Sequence, residues 1–139
     1  MIWRIAYISR RCVTDDELAE ILAQSRTRNA SEDVSGVLLA DRSHFVQVVE
    51  GGRPAIADLT LRLMGDPRHA EVRFLASGAD EVRWFSDWKM ALVISGTRGT
   101  ALKKRFGSAE FDGPAALFET LMATIEKAEA AQAGLVQYG

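Results

Sequence analysis

The chain switches between two hydrophobic periods. Stretches with every second position apolar alternate with stretches whose apolar positions recur at three and four. Residues 2–8 have the strand period: Trp3, Ile5 and Tyr7 share one face, and Ile2, Arg4, Ala6 and Ile8 the other. Residues 9–13 form a short connector. Thr14-Asp-Asp-Glu17 then reads as a capping box, and the spacing predicts a helix over 15–27 with Leu18, Ile21, Leu22 and Ser25 as its inner stripe. That stripe runs out into small and polar residues, so Ser25, Arg28 and Asn29 cluster at its C-terminal end. Taken alone, this end reads as a solvated one.

Residues 30–33 are expected as a loop and 34–40 as a second strand, joined to the third by a tight connection at 41–44. The third strand, Phe45-Val-Gln-Val-Val-Glu-Gly51, has one interior amide, Gln47, on the face of Phe45 and Val49. A core-facing amide must pair its N–H donors and its carbonyl, with neighbouring backbone or with a ligand. Arg53-Pro54 opens a second helix with the stripe Ile56, Leu59 and Leu63, closed at Gly65. Arg62 and Asp66 stand four apart and are expected to pair. His69 reads as a surface or loop histidine. Residues 71–76 form the fourth strand, 77–83 a polar turn, and 89–94 the fifth strand, with Trp88, Met90 and Leu92 on one face.

The order βαββαββ predicts an α+β, ferredoxin-like fold: a five-stranded mixed sheet with two helices on one face. The bare face needs a cover. Residues 98–106 are expected as a short basic helix, and Asp112-Gly-Pro114 opens a longer one bearing Leu117, Leu121 and Ile125. This helix is expected to pack on Ile2, Ala6, Ile8, Val46 and Val48, or to pair with its copy in a dimer. Residues 130–139, rich in alanine and glycine, are expected to fray.

At 139 residues the chain makes one domain with a short appendage. A net charge of −2 gives no basic footprint for nucleic acid. One cysteine, Cys12, and two histidines, His44 and His69, allow no metal cluster of those residues. No apolar run is long enough for a membrane span and no signal peptide is evident, so a cytoplasmic protein is expected. Phosphate-loop, zinc-protease and serine-elbow motifs are missing, and no enzymatic activity is expected. What remains is a polar set on the helix side of the sheet: Tyr7, Ser25, Asn29 and Gln47. A phenol beside an amide in an apolar slot suits a flat heteroaromatic ligand with amide-like edges.

Five pieces in order carry a resemblance across residues 2–95: Ile5-Ala-Tyr7-Ile-Ser; Ser25-Arg-Thr-Arg-Asn29 before Val34-Ser-Gly36; Phe45-Val-Gln-Val-Val-Glu-Gly51; Asp66-Pro-Arg-His69; and Phe85-Ser-Asp-Trp-Lys-Met90. The sequence resembles the BLUF family, blue-light photoreceptors that bind FAD noncovalently. The connector after the tyrosine is shorter than in several members. The resemblance implies residues 1–95 as the flavin-binding domain, with flavin held by the two helices on one face, and residues 96–139 as a helical cap or output segment. It implies Tyr7 as donor of an electron and a proton to excited flavin, and Gln47 as the amide whose hydrogen bonds rearrange. It implies Ser25, Arg28, Asn29, Arg62, Asp66 and His69 around the cofactor, and Trp88 and Met90 as the relay through strand five to the C-terminal helices. The cofactor implied is FAD, with FMN possible. The partners expected are the flavin, a second copy of the chain and a downstream protein. The other reading is a non-photoactive ferredoxin-like module that binds a small ligand or a partner.

Overall fold

The computed structural model describes residues 1–94, 100–107, 110–131 and 136–137. Its elements are β1 (Ile2–Arg11), α1 (Asp15–Glu32), β2 (Ser35–Ala40), β3 (His44–Gly51), α2 (Arg53–Met64), β4 (His69–Asp80), β5 (Ala91–Ile94), α3 (Gly113–Ala131) and β6 (Val136–Gln137). The sheet order is β4-β1-β3-β2-β5-β6. β1 runs antiparallel to β3 and β4, and β3 to β2, while β5 lies parallel to β2. This is the expected mixed βαββαββ sheet. The short β6 pairs with the edge of β5 in a tail expected to fray.

Four boundaries moved, each for a local reason. β1, expected to end at residue 8 before a connector at 9–13, runs on to Arg11 because Ser9 and Arg10 stay paired with β3 and Arg11 with β4. The capping box at Thr14 and Glu17 forms, but α1 runs five residues past its expected end. Nothing between Arg28 and Glu32 breaks a helix; Asp33 does, in the left-handed conformation (φ 54°), its N–H bonded to Asn29 O. β4 is longer than its apolar segment because backbone pairing with β1 carries it from His69 opposite Arg11 to Asp80 opposite Ile2. β5 is shorter and begins only at Ala91. Of the expected basic helix, residues 98 and 99 lie outside the described residues, and Lys103–Gly107 is a π-helical turn.

Alternation along the strands builds two cores. On one face Ala6, Ile8, Val46 and Val48 pack with Leu102, Phe106, Leu117, Leu121 and Ile125; Ile2 is not part of this cluster. α3 thus spends its apolar stripe inside the chain. Leu117, Leu121 and Ile125 each contribute about 1.5–3 kcal/mol of burial. On the other face Ile5, Leu38, Phe45 and Val49 pack with Leu18, Leu22 and Ile56. Gly36 allows β2 and β3 to approach, since a Cβ there would lie 2.0 Å from Val48 O. Among the described residues, no helix is long and apolar enough to cross a membrane.

Two buried carboxylates fasten the connections. Arg4 and Glu50 face each other across β1 and β3, both on the faces of otherwise apolar neighbours, which is the mark of a buried pair in the sequence. Glu50 is fully buried; it accepts from Arg4 Nε at 2.7 Å, from Trp84 N at 2.7 Å and from Phe85 N at 2.9 Å. Asp41, also buried, accepts from the backbone N–H of Ser43, His44 and Leu102, joining the β2–β3 hairpin to the C-terminal segment.

Candidate functional site

Between α1, α2 and the sheet lies a cavity of about 430 Å³, within the range of small-molecule sites. Its floor follows from strand register. Tyr7 of β1 stands directly opposite Gln47 of β3, Gln47 opposite Leu38 of β2, and Leu38 beside Leu92 of β5. The period of two turns Tyr7 and Gln47 to the same side, and the Tyr7 hydroxyl donates to Gln47 Oε1. The amide's other end, Nε2, donates to the Met90 thioether at 3.4 Å. Phenol, amide and thioether form one chain across the floor. Tyr7 is 1% exposed. Burial pushes its phenol above the ordinary range, the charge of Asp66 adds to that, and Arg68 pulls the other way. The phenol is therefore protonated at any physiological pH.

α1 supplies one wall. Ser25, Arg28 and Asn29 all line the cavity, so this helix end is not merely solvated: Asn29 is 3% exposed, and its Nδ2 donates to Lys89 O at 2.6 Å. One turn earlier Arg26 Nε donates to Met90 O at 3.0 Å, and Gly36 N of β2 donates to Trp88 O at 2.8 Å. Three successive carbonyls before β5 are thus held from two elements.

α2 and the turn after it supply the other wall, with Arg62, Asp66 and His69. The expected Arg62–Asp66 pair does not form. α2 ends at Met64, so Asp66 leaves helical spacing, and Arg62 instead pairs with Asp58 at 2.6 Å. Asp66 is taken by Arg68 through two parallel bonds, Nε–Oδ1 at 2.9 Å and Nη2–Oδ2 at 2.7 Å. Desolvation works to raise the Asp66 carboxyl, but the hydrogen bonds and charge of Arg68 outweigh it and hold it below its usual value. Arg68 lines the cavity and was overlooked in the sequence, although it sits inside the stretch Asp66-Pro-Arg-His69. His69 is no surface histidine: its ring stands edge-on to Tyr7 and Phe45, with centroids 5.8 and 5.3 Å apart.

The expected relay pair is divided. Met90 is 1% exposed on the cavity side. Trp88 stacks on Phe85 at 5.3 Å and packs against the core shared with α3. The two do not share a face because strand alternation starts only at Ala91.

The site combines apolar walls with an amide, a guanidinium–carboxylate pair and an imidazole. That donor set matches a flat ring system whose edge alternates carbonyl acceptors and N–H groups, and the chemistry fits a flavin. The comparisons agree with it. The family model described as "Sensors of blue-light using FAD" matches residues 2–91. The photoactivated adenylate cyclase subunit beta of Euglena gracilis is 33% identical over 89 residues, covering 62% of this chain. The chain spans only 10% of that protein's length, so the cyclase activity in its name belongs to a much larger chain. The blue light- and temperature-regulated antirepressor BluF of Escherichia coli (strain K12) is 33% identical over 69 residues, 47% of this chain and 17% of that protein. The dark-state structure of BlrB, a BLUF protein, superposes with a TM-score of 0.69 at 30% identity, covering 88% of this chain and 96% of that one. The Klebsiella pneumoniae BlrP1 structure with FMN and cyclic diGMP superposes at 0.70 and 25% identity, covering 91% of this chain and 35% of that one. With its matched family, its fold and a flavin-compatible cavity in agreement, the chain belongs to the BLUF family, the sensors of blue-light using FAD.

Proposed function

We propose that residues 1–95 work as a blue-light switch whose moving part is the hydrogen-bond chain Tyr7–Gln47–Met90. The observation that carries this reading is the phenol and the amide, opposed on adjacent strands and bonded beneath the cavity. When bound and excited by blue light, a flavin supplies a strong one-electron oxidant. Tyr7 would give up an electron and, made acidic by its loss, pass the Oη proton along its bond to Gln47 Oε1 while Gln47 Nε2 releases one; the electron and a proton would then return to Tyr7, so that no net oxidation remains. Gln47 carries a donor and an acceptor at one end, so rotation or tautomerisation exchanges them at constant charge. Asn in its place falls one methylene short, and Glu offers only acceptors.

The residues that would hold the cofactor are Asn29, Asp66, Arg68 and His69 at its polar edges, with Ser25 and Arg62 beside them. Arg28, exposed and lining the cavity, would meet the ring edge or the phosphates. FAD is the cofactor we favour because the family description names it. FMN is the alternative, since BlrP1 has been determined with it. A changed Gln47 alters its bond to Met90, and from there the packing of Trp88 against Phe85 and α3. Residues 96–139 would carry that change to a partner protein or to self-association.

The test is an absorption spectrum of the purified chain in darkness and after blue light. A yellow protein with a reversible red shift is expected. Tyr7→Phe should keep the flavin and lose the shift, and Gln47→Leu should lose it too. Normal photocycling in either variant removes that residue from the mechanism, and a colourless chain that takes up no flavin leaves a plain interaction module.

A further inference from the structure

Ser9 lies two residues after Tyr7 on the same face of β1 and is 1% exposed. Its Oγ is 2.8 Å from Nδ1 of His69, the ring wedged against Tyr7 and Phe45. Among the described residues neither the hydroxyl nor the imidazole Nε2 has any other side-chain bond. A hydroxyl has one proton to give. If Nδ1 carried a proton, Ser9 would have to accept it and its own proton would be orphaned in the core. If Nδ1 is bare, Ser9 donates and both groups are satisfied. The proton of the neutral ring then sits on Nε2, and the ring lines the cavity.

We propose that Ser9 is a positioning residue: its hydroxyl fixes His69 as the neutral Nε2–H tautomer, giving the cavity a stationary N–H donor for a carbonyl-type acceptor on its ligand. The charges around the ring fit this arrangement. Burial lowers the basicity of His69; Asp66 opposes that and Arg68 reinforces it. From β1, Tyr7 is an un-ionised phenol, and Arg11, opposite His69 in the ladder, turns to Asp41 O and Asp15. Protonating the ring would reverse the Ser9 bond, leaving the hydroxyl's own proton without an acceptor, and would charge a half-buried group.

The identity of the ligand rests on the flavin reading, but the tautomer does not. Nitrogen-15 NMR of the ligand-free chain reads it directly, with the His44→Gln variant separating the two histidines. A single species is expected, with Nδ1 bare and Nε2 protonated. Ser9→Ala should give both tautomers and a higher protonation midpoint, because the hydroxyl no longer holds Nδ1 bare. Riboflavin titration should show binding about three- to tenfold weaker in Ser9→Ala, the scale of one neutral hydrogen bond. A wild-type ring protonated on Nδ1, or a Ser9→Ala chain with unchanged tautomer and midpoint, overturns the proposal. Equal riboflavin affinities overturn its ligand half. Failure of the wild-type chain to bind riboflavin counts against the flavin reading alone, because the tautomer populations still decide the role of Ser9.

Discussion

Replacing Glu50 by alanine removes three bonds from one fully buried side chain. The backbone N–H groups of Trp84 and Phe85 lose their acceptor, at about 1–3 kcal/mol each where water cannot follow. Arg4, 6% exposed, loses its buried partner, and deleting one side of such a pair costs about 3–5 kcal/mol. The losses share one carboxylate and do not add. Arg4 also keeps Asp80 at 3.1 Å, Val82 O at 2.9 Å and the Trp84 face at 3.7 Å, which soften the blow. We expect a net loss of about 4 kcal/mol, a large part of the 5–15 kcal/mol typical of a domain. With a urea slope of about 2 kcal/mol/M, the unfolding midpoint should fall by about 2 M. Urea unfolding followed by tryptophan fluorescence measures it, because Trp84 lies at the lesion. Glu50→Gln, which keeps one oxygen and the volume, should lose about half as much. A loss below about 1 kcal/mol in Glu50→Ala would mean that water or a rearranged Arg4 replaces the carboxylate, and the anchoring argument would be wrong.

Two further outcomes follow from the buried and shifted groups. Asp41→Ala frees the N–H of Leu102 and should speed amide exchange across residues 100–107 while β1 and β3 stay protected; equal protection in both chains would show that Asp41 does not dock this segment. Both His69 and Asp66 have folded-state affinities for protons below their unfolded ones, so the unfolded chain binds more protons and stability must fall with falling pH. The His69 contribution is present above about pH 6.5 and lost below it, and that of Asp66 starts to fall away only below about pH 4. Thermal melting between pH 7.5 and 5 should show a drop that His69→Gln reduces; a flat profile contradicts the burial of the imidazole.

Strand periodicity made the floor of the site legible. In residues 2–8 and 45–51 alternation separated Tyr7 and Gln47 from Ala6, Ile8, Val46 and Val48, and the βαββαββ layout then put the first pair on the helix side. The stripe of α3 named its partners in the same way, save Ile2. The walls were harder to read. Asn29 lies on a helical turn with no apolar repeat, and only the tertiary bond to Lys89 O shows that the turn faces inward. The Arg62–Asp66 pairing failed because i,i+4 spacing presumes a helix that stops at Met64. Trp88 was misplaced because alternation was extended back across a segment held by hydrogen bonds to other elements and not by a strand ladder. Arg4 and Glu50 were not singled out in the sequence: each stands as a charge on an apolar face, but their pairing needs the β1–β3 register.

The bonds from Gly36, Asn29 and Arg26 to the carbonyls of Trp88, Lys89 and Met90 set a threshold for any sliding of this stretch. At about 1 kcal/mol each, breaking all three together costs about 3 kcal/mol, so a slipped register would be populated below about one molecule in a hundred. In the switch proposed above, such a latch would keep false alarms rare at rest. A displacement of the Met90 thioether alone would leave it closed, and only a stimulus that outweighs all three clasps at once would throw it.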